Sequence, residues 1–293
     1  MNNPVSITAV ICNYNGGVYL KEAIDSVLAQ KPLPDEFIIV DDRSTDNSIE
    51  IIRKVQREHP ELITVIQHDE NKGQAAGMNT AFASSRGEIL AFLDSDDVWF
   101  PNKLAALCDA YRTQPDFGLF QHNLQIIKDN DITEELYMPA MAQGDVFELW
   151  QRYGTFPNFS PTSGLAIRRE VYDKLAPLPE ELKICADSFM TRSAICFGPL
   201  VSTLAPFGGY RRHSSNNVYG NSKFDGWQFV LDNVSPLLAD FYQSHGFALP
   251  TDIRHRQKKT LKASFIDLVL DMNIRAIINK LRLISSRSCS KEQ

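Results

Sequence analysis

The stretch AFLDSDDVWF, residues 91–100, joins a strand-like apolar run to a cluster of negative charge. Its apolar residues 91–93 run directly into the sequence Asp-Ser-Asp-Asp, and apolar residues resume at Val98. The three carboxylates of this cluster repel one another, and charge beside core-type side chains is unfavourable to bury. The stretch therefore predicts a buried strand that ends in a turn, together with a partner that neutralises the turn.

The sequence around this stretch alternates between strand and helix patterns. Short apolar runs, typical of strands buried on both faces, lie at residues 6–12, 37–42, 62–68 and 88–94. Runs with apolar residues at helical spacing follow them, at residues 19–30, 44–59, 73–85 and 102–114. This order predicts an α/β fold with a Rossmann-like, mostly parallel sheet sandwiched by helices.

Polar clusters follow all four predicted strands, with the sequences NYN, DD, DENKG and DSDD. Ligands of such sheets bind beyond the carboxyl ends of the strands, so these clusters should meet at one edge. DSDD has two interpretations: a turn that caps the next helix, or an Asp-x-Asp site for Mg²⁺ or Mn²⁺ completed by phosphate oxygens. Its place at the ligand edge, directly after a buried strand, favours the cation and a nucleoside diphosphate ligand.

Beyond residue 116 the pattern loosens. Strands are expected at 117–127 and at the start of 160–175, helices at 144–154 and 186–198, and a polar loop at 208–217. After residue 221 we expect helices only. The sequence thus predicts an α/β domain over residues 1–220 and a helical C-terminal extension over residues 221–293.

Composition limits the class of protein. The 293 residues are 43% hydrophobic and 23% charged, enough apolar residues for a substantial core, and the net charge of −6 argues against nucleic-acid binding. The five cysteines lack metal-type or paired spacing, which favours a reducing compartment. With no signal peptide or apolar stretch of membrane-spanning length, we expect a cytoplasmic protein.

Several segments together resemble the family-2 glycosyltransferases of the GT-A fold. They are TAVICNYNGG, FIIVDDRSTD, ENKGQAAGMN, AFLDSDD, ADSFMTRSA and YRRH, in order over roughly residues 5–215. The resemblance implies an inverting enzyme that moves a hexosyl or hexosaminyl group from a nucleotide sugar, most often UDP-linked, to a hydroxyl acceptor. It also implies a role in cell-surface polysaccharide or glycan synthesis, with a donor half at about 1–115 and an acceptor half at about 116–220.

The resemblance implies donor contacts for four residues outside the acidic turn. Tyr14 would lie against the nucleobase, and Asp42 would accept a hydrogen bond from the N–H of the base. Gly73 and Asn79 would line the donor near the ribose and the sugar. The ordinary alternatives are that Tyr14 packs within its turn, that Asp42 caps the following helix, and that Gly73 merely begins one.

The remaining implied residues carry the chemistry. Asp94 and Ser95 would contact the ribose or sugar, and Asp94, Asp96 and His213 would hold Mn²⁺ or Mg²⁺ on the diphosphate. Asp187 would be the general base that deprotonates the acceptor hydroxyl. Asp187 has an alternative role as a helix N-cap, which would keep its pKa low.

Two further alternatives remain open. Residues 211–213 (Arg-Arg-His) would serve equally well as a cationic clamp on the diphosphate. The chain also departs from the family pattern at Met78, where arginine is usual, and at Ala186, where an acid commonly precedes the base. These departures bear on the identity of the donor and do not bar activity. A catalytically weak nucleotide- or carbohydrate-binding protein on the same fold is the other alternative, because the role of Asp187 rests on the resemblance.

The C-terminal residues 250–293 are basic, with ten Lys or Arg against four Asp or Glu. Apolar positions at near-helical spacing accompany them, which suits peripheral contact with the inner membrane face and a lipid-linked acceptor. Asp267 and Asp271 interrupt the basic face, which instead favours packing on the main domain or a homo-oligomer contact.

Overall fold

The computed structural model describes residues 5–153, 156–213 and 225–248. Within this part of the chain the strands are β1 Ile7–Asn13, β2 Glu36–Asp41, β3 Ile63–Gln67, β4 Ile89–Asp94, β5 Val98–Trp99, β6 Leu119–Lys128, β7 Asp131–Leu136, β8 Leu165–Arg168 and β9 Leu200–Arg212. The helices are α1 Leu20–Leu28, α2 Ser48–Glu58, α3 Gln74–Ser84, α4 Lys103–Thr113, α5 Val146–Tyr153, α6 Arg169–Leu175, α7 Ala186–Ala194, α8 Gly226–Phe229 and α9 Ser235–Ser244. A 3₁₀ turn at Thr162–Gly164 and a π-helical turn at Val230–Val234 complete the elements.

The strands form one curled sheet in the order β3-β2-β1-β4-β8-β6-β9-β5, with β7 paired to β6. The first four are parallel, so the ends of β1, β2 and β4 lie side by side, with Cys12 opposite both Val40 and Asp94. Antiparallel pairs occur only beyond β4. The predicted α/β class and mostly parallel sheet are confirmed.

Alternating side chains of the central strands enter two separate cores. From β1, Ile7 and Ile11 pack with α1, α2 and α4, whereas Val10 faces the core that holds α3, α6, α7 and α9. The period of two along a strand places successive side chains on opposite faces of the sheet. Both faces are therefore covered, which explains why the strands have no polar side.

The second half contains the main errors of the sequence-based expectations. Residues 208–212, expected in a polar loop, continue strand β9, which pairs with β5 and β6. These residues are polar and were therefore not predicted as a strand. Arg211 is nevertheless buried, because its hydrogen-bond partners lie inside the protein. The short strands β5 and β7 were not expected, since β5 has only two residues and β7 is mostly exposed.

Helices α8 and α9 lie in the segment after residue 221, where only helices are expected, and the structure describes this segment from residue 225 to residue 248. Leu238 and Tyr242 of α9 are buried in the same core as Phe189 of α7. None of the described helices has the length and apolar character needed to cross a bilayer. The basic segment 250–293, with its membrane and oligomer interpretations, lies outside the described residues.

Candidate active site

A cavity of about 1020 Å³ opens at the carboxyl edge of the parallel strands. The polar clusters that follow β1, β2, β3 and β4 all contribute to its wall, among them Tyr14, Asp42, Asn71, Gly73, Asp94, Ser95 and Asp96. The opposite wall comes from the second half of the chain, including Thr162, Asp187, Arg192, Tyr210 and His213. The four clusters thus meet at one edge, as the order of strands and helices predicts.

The carboxylates of the acidic turn after β4 have two different roles. Asp97 is only 1% exposed and accepts hydrogen bonds from the Arg211 backbone N–H at 2.8 Å and the Ser163 hydroxyl at 2.5 Å. It holds the turn against β9 and the 3₁₀ turn and is not part of the cavity lining. Asp94 and Asp96 are the two acids that face the cavity.

Asp94 and Asp96 place two carboxyl groups on one wall of the cavity. Burial raises the pKa of Asp94 well above its usual range, and the nearby carboxylates of Asp96, Asp97 and Asp187 add to the rise. The Asp96 Oδ2 atom lies 3.0 Å from the His213 Nε2 atom. The histidine thus reaches the acidic turn from the end of β9, on the side where a cation would be held.

Asp187 lies in the first turn of α7, on the far side of the cavity. Burial raises its pKa, while hydrogen bonds from the Ser188 N–H and the Thr162 hydroxyl and the charge of Arg192 act in the opposite direction. Cys185 occupies the N-cap position, in a left-handed conformation with φ of 58°. Asp187 is therefore not the cap, and its raised pKa differs from what a capping carboxylate would show.

Asp42 organises the loop that leads into α3. Its carboxylate accepts the backbone N–H of Lys72 at 2.8 Å and of Gly73 at 2.7 Å, and its Oδ1 atom lies 2.7 Å from His68 Nδ1. It makes no cap on α2, which begins after Asn47 without a side-chain cap. Gly73 is both the N-cap of α3 and part of the cavity wall, and its φ of +87° favours glycine.

The comparisons with known proteins agree with this geometry. The family model described as Glycosyl transferase family 2 matches residues 8–176. The chain belongs to glycosyl transferase family 2. It is 39% identical to the uncharacterized glycosyltransferase alr2836 of Nostoc across 90% of this chain and 85% of that protein. It is also 24% identical to the succinoglycan biosynthesis protein ExoO of Rhizobium meliloti, across 94% of this chain and 80% of that protein.

Two solved structures share the fold of this family-2 glycosyltransferase. The S. aureus TarS fragment 1–349 in complex with UDP-GlcNAc superposes with a TM-score of 0.59 at 19% identity, over 91% of this chain and 80% of that one. The Pyrobaculum calidifontis mannosyltransferase PcManGT, in complex with GDP-Man and Mn²⁺, gives a TM-score of 0.52 at 20% identity, over 73% and 59%. The sheet and its helices are thus those of GT-A glycosyltransferases.

One residue expected at the donor of the glycosyltransferase lies elsewhere. Asn79 is absent from the cavity wall, and its side-chain amide donates to the Leu178 carbonyl oxygen at 2.9 Å and accepts the Leu178 N–H at 2.8 Å. Both ends of the amide thus bind the segment before α7. The family resemblance implied a donor contact for Asn79, but its side chain joins two parts of the scaffold.

The proposed cationic clamp is also not what the glycosyltransferase presents. Arg211 is 3% exposed and binds Glu22 at 2.6 Å, and it lies over the ring of Tyr19. Arg212 pairs with Glu135 at 2.9 Å. Neither arginine lines the cavity, whereas His213 does. Sequence analysis missed two cationic side chains of the cavity wall, Lys183 and Arg192, of which Arg192 lies on α7 with Asp187.

The donor set of the glycosyltransferase suits a divalent ion that arrives with a diphosphate. No group of three or more His, Cys, Asp or Glu side chains in the described residues would hold a metal by itself. Mg²⁺ and Mn²⁺ sites of nucleotide enzymes commonly use one or two carboxylates, with substrate phosphates and water as the other ligands. Asp94 and Asp96 are two such carboxylates on the cavity wall, and His213 lines the same cavity.

Proposed function

We propose that this glycosyltransferase is an inverting enzyme that moves a sugar from a UDP-linked donor to a hydroxyl acceptor. The observation that carries the proposal is the shared position of Thr162. Its hydroxyl interacts with the carboxylates of both Asp94 and Asp187 and lowers the pKa of each. The charge of Asp187 also adds to the raised pKa of Asp94, so the acids assigned to the donor and to the acceptor lie within electrostatic reach of each other. This nearness suits a direct displacement in the shared cavity.

The donor would occupy the wall formed by the first four strands. Tyr14 is 51% exposed and lines the cavity, which leaves its ring available to a nucleobase. Asp42, Gly73 and Ser95 would contact the nucleoside and sugar, and Asp94, Asp96 and His213 would hold Mn²⁺ or Mg²⁺. A cation bound there would neutralise charge on the leaving diphosphate. The nucleotide sugars in the TarS and PcManGT structures support a donor of this class.

Asp187 would act as the base in a single displacement. Its raised pKa brings it nearer to neutral pH, where a carboxylate is a more effective base. As the acceptor oxygen attacks the anomeric carbon, its proton passes to Asp187, and the bond from the anomeric carbon to the diphosphate oxygen breaks on the opposite face. The electron pair leaves with the diphosphate, and no covalent enzyme intermediate is needed.

The biological setting that we propose is synthesis of a surface polysaccharide or other glycan. The relationship to the succinoglycan biosynthesis protein ExoO supports it. The acceptor would be a glycan or a lipid-linked glycan, handled in the cytoplasm or at the inner membrane face. The alternative is a weak nucleotide- or carbohydrate-binding protein, which would not need a base, and the presence of Asp187 in the same cavity as Asp94 and Asp96 favours the enzyme over it.

Calorimetric titration of UDP with Mn²⁺, without metal, and with the variant Asp96→Ala tests the donor site. We expect metal-dependent binding that the variant loses. The matched control is Asp109→Ala, because Asp109 is an exposed aspartate on α4 outside the cavity wall. If GDP or dTDP bound in place of UDP, the nucleobase of the proposed donor would have to be changed. If none of the three nucleotides bound, the proposal would be contradicted. Turnover of UDP-sugars then separates the enzyme from a binding protein.

A further inference from the structure

Two tyrosines form an aromatic wall of the cavity opposite the donor strands. Tyr137 directly follows β7, and Tyr210 lies in β9; their ring centroids are 4.9 Å apart at an interplanar angle of 65°. Both line the cavity. Strand β6 supports both rings, because Ile126 pairs with Tyr210 and the Leu124 carbonyl oxygen accepts the Tyr137 N–H at 2.8 Å. The pair is therefore held on the sheet and not on a free loop.

The pair shares the cavity with the acidic turn and the base, and it lies within electrostatic reach of both. Burial raises the pKa of Tyr137, and the carboxylate of Asp187 adds to the rise, so this carboxylate is within electrostatic reach of the phenol. Burial also raises the pKa of Tyr210, with further contributions from Tyr137 and from Asp97, Asp94 and Asp96. A molecule that rests on this wall would therefore have its polar groups close to Asp187.

The two tyrosines differ in exposure and in hydrogen bonding from tyrosines that only pack in a core. Tyr137 is 37% exposed, although its neighbour Met138 is buried. Among the described residues, neither tyrosine hydroxyl has a side-chain or backbone hydrogen-bond partner, whereas the buried Tyr242 hydroxyl binds the Arg192 carbonyl oxygen. Pro139 extends the apolar surface along the same wall. An aromatic face with open polar groups beside it matches a ligand with one apolar face and a hydroxylated rim.

A pyranose ring has that chemistry, because its axial C–H groups form an apolar face and its hydroxyls lie around the edge. We propose that Tyr137 and Tyr210 form an acceptor subsite for a sugar ring, whose reacting hydroxyl is presented to Asp187. The acceptor is then a glycan, not a small alcohol or a Ser/Thr side chain. This inference rests on the proposed function, in which the acceptor oxygen bonds to the anomeric carbon, its proton goes to Asp187 and the nucleoside diphosphate departs with the electron pair.

Saturation-transfer NMR with methyl glycosides tests the subsite. The probes are the methyl β-glycosides of glucose, galactose and N-acetylglucosamine, each with the full-length protein, UDP and the diamagnetic ion Mg²⁺. With the wild type and Tyr137→Phe we expect transfer to the ring C–H protons of at least one probe. With Tyr137→Ala we expect its affinity to fall about three- to tenfold, the range for loss of an aromatic contact. Methanol and N-acetylserine amide are the control probes, because each has a hydroxyl group but no sugar ring.

Donor binding separates this inference from the proposed function. We expect Tyr137→Ala to bind UDP with a Kd within about twofold of wild type, which also shows that the variant is folded. Equal glycoside affinity in wild type and Tyr137→Ala, or no signal from any glycoside with the wild type, would overturn the subsite. Glycoside signals that depend on Tyr137 in a protein that fails to bind any nucleotide would support the subsite and contradict the transferase.

Discussion

The ammonium nitrogen of Lys103 lies 2.8 Å from the backbone carbonyl oxygen of Ser163, fully buried beneath the acidic turn. The hydroxyl of the same serine donates to Asp97 at 2.5 Å and accepts the backbone N–H of Asp94 at 3.0 Å. Burial lowers the pKa of Lys103, and the charges of Asp94 and Asp97 oppose that change. Lys103 thus lies within electrostatic reach of Asp94 and Asp97, although the group that its ammonium binds is a backbone carbonyl oxygen and not a carboxylate.

Replacement of Lys103 by Met should destabilise the fold in a pH-dependent way. The variant keeps the length of the side chain but leaves the buried carboxylates without their cation, and we expect a loss of about 3–5 kcal/mol in the free energy of unfolding near neutral pH. Burial and the Asp96 charge raise the pKa of Asp97 well above its usual range. The folded state therefore binds this proton more tightly than the unfolded state. The stability linked to it is present at low pH and is lost as the pH rises through the folded-state pKa.

Urea denaturation at about pH 5 and about pH 8 measures this effect, and the loss caused by Lys103→Met should be smaller at the lower pH. The control is Lys54→Met, which changes an exposed lysine of α2. It should alter the free energy of unfolding by no more than about 0.5 kcal/mol. An equal loss at both pH values would mean that the lysine does not compensate the carboxylates.

Asp187→Asn should abolish transfer while leaving the donor site intact. Loss of a general base typically lowers the rate by about 10²- to 10⁴-fold. Because a base works only when it is ionised, and burial raises the pKa of Asp187, activity should fall with decreasing pH at a value above the ordinary range of aspartate. The profile of kcat/KM against pH measures this limb, and Asp173→Asn, an exposed change on α6, is the control. Transfer at the wild-type rate in Asp187→Asn would exclude this residue as the base.

Thr162→Val should move the same acidic limb to higher pH. The Thr162 hydroxyl lowers the pKa of Asp187 through a hydrogen bond, and valine has the same shape without the hydroxyl. The shift should appear in the pH profile of kcat/KM, and the plateau at high pH should change less than the limb. A profile that keeps its wild-type position would show that Thr162 does not influence the base.

The donor half was predictable because its strands and their polar ends obey one rule. Apolar runs buried on both faces identify β1, β2, β3 and β4, and parallel strands bring the residues after them to one edge. Lys103 could not be recognised in this way, since a lysine near the start of a helix is normally exposed. The same holds for Thr162 and Tyr137, whose importance comes from contacts between distant segments. The strand around Arg211 could not be predicted, because the partners of this buried arginine, in α1 and in the turn after β6, are distant in sequence.

Tyr242→Phe should weaken the attachment of α9 to the helix that carries Asp187. The buried Tyr242 hydroxyl donates to the Arg192 carbonyl oxygen at 2.8 Å. Its removal leaves a buried acceptor unsatisfied, which costs about 1–3 kcal/mol. Urea denaturation should detect the loss, and Tyr111→Phe is the control because Tyr111 is half-buried on α4 and its hydroxyl has no hydrogen-bond partner among the described residues. Equal stability of the two variants would mean that this contact contributes little.

Arg212→Gln distinguishes the scaffold role of the two arginines from a diphosphate clamp. Arg212 pairs with Glu135 and does not line the cavity, so its replacement should leave the Kd of UDP with Mn²⁺ within about twofold of wild type. A clamp residue forms charge-assisted hydrogen bonds with phosphate, and its loss would weaken UDP binding about tenfold or more. His213→Ala is the matched comparison, because His213 does line the cavity and lies beside Asp96, and it should weaken metal-dependent binding. If Arg212→Gln weakened UDP binding as strongly as His213→Ala does, the result would support the clamp hypothesis. Arg212 would then have to reach the diphosphate when the donor binds.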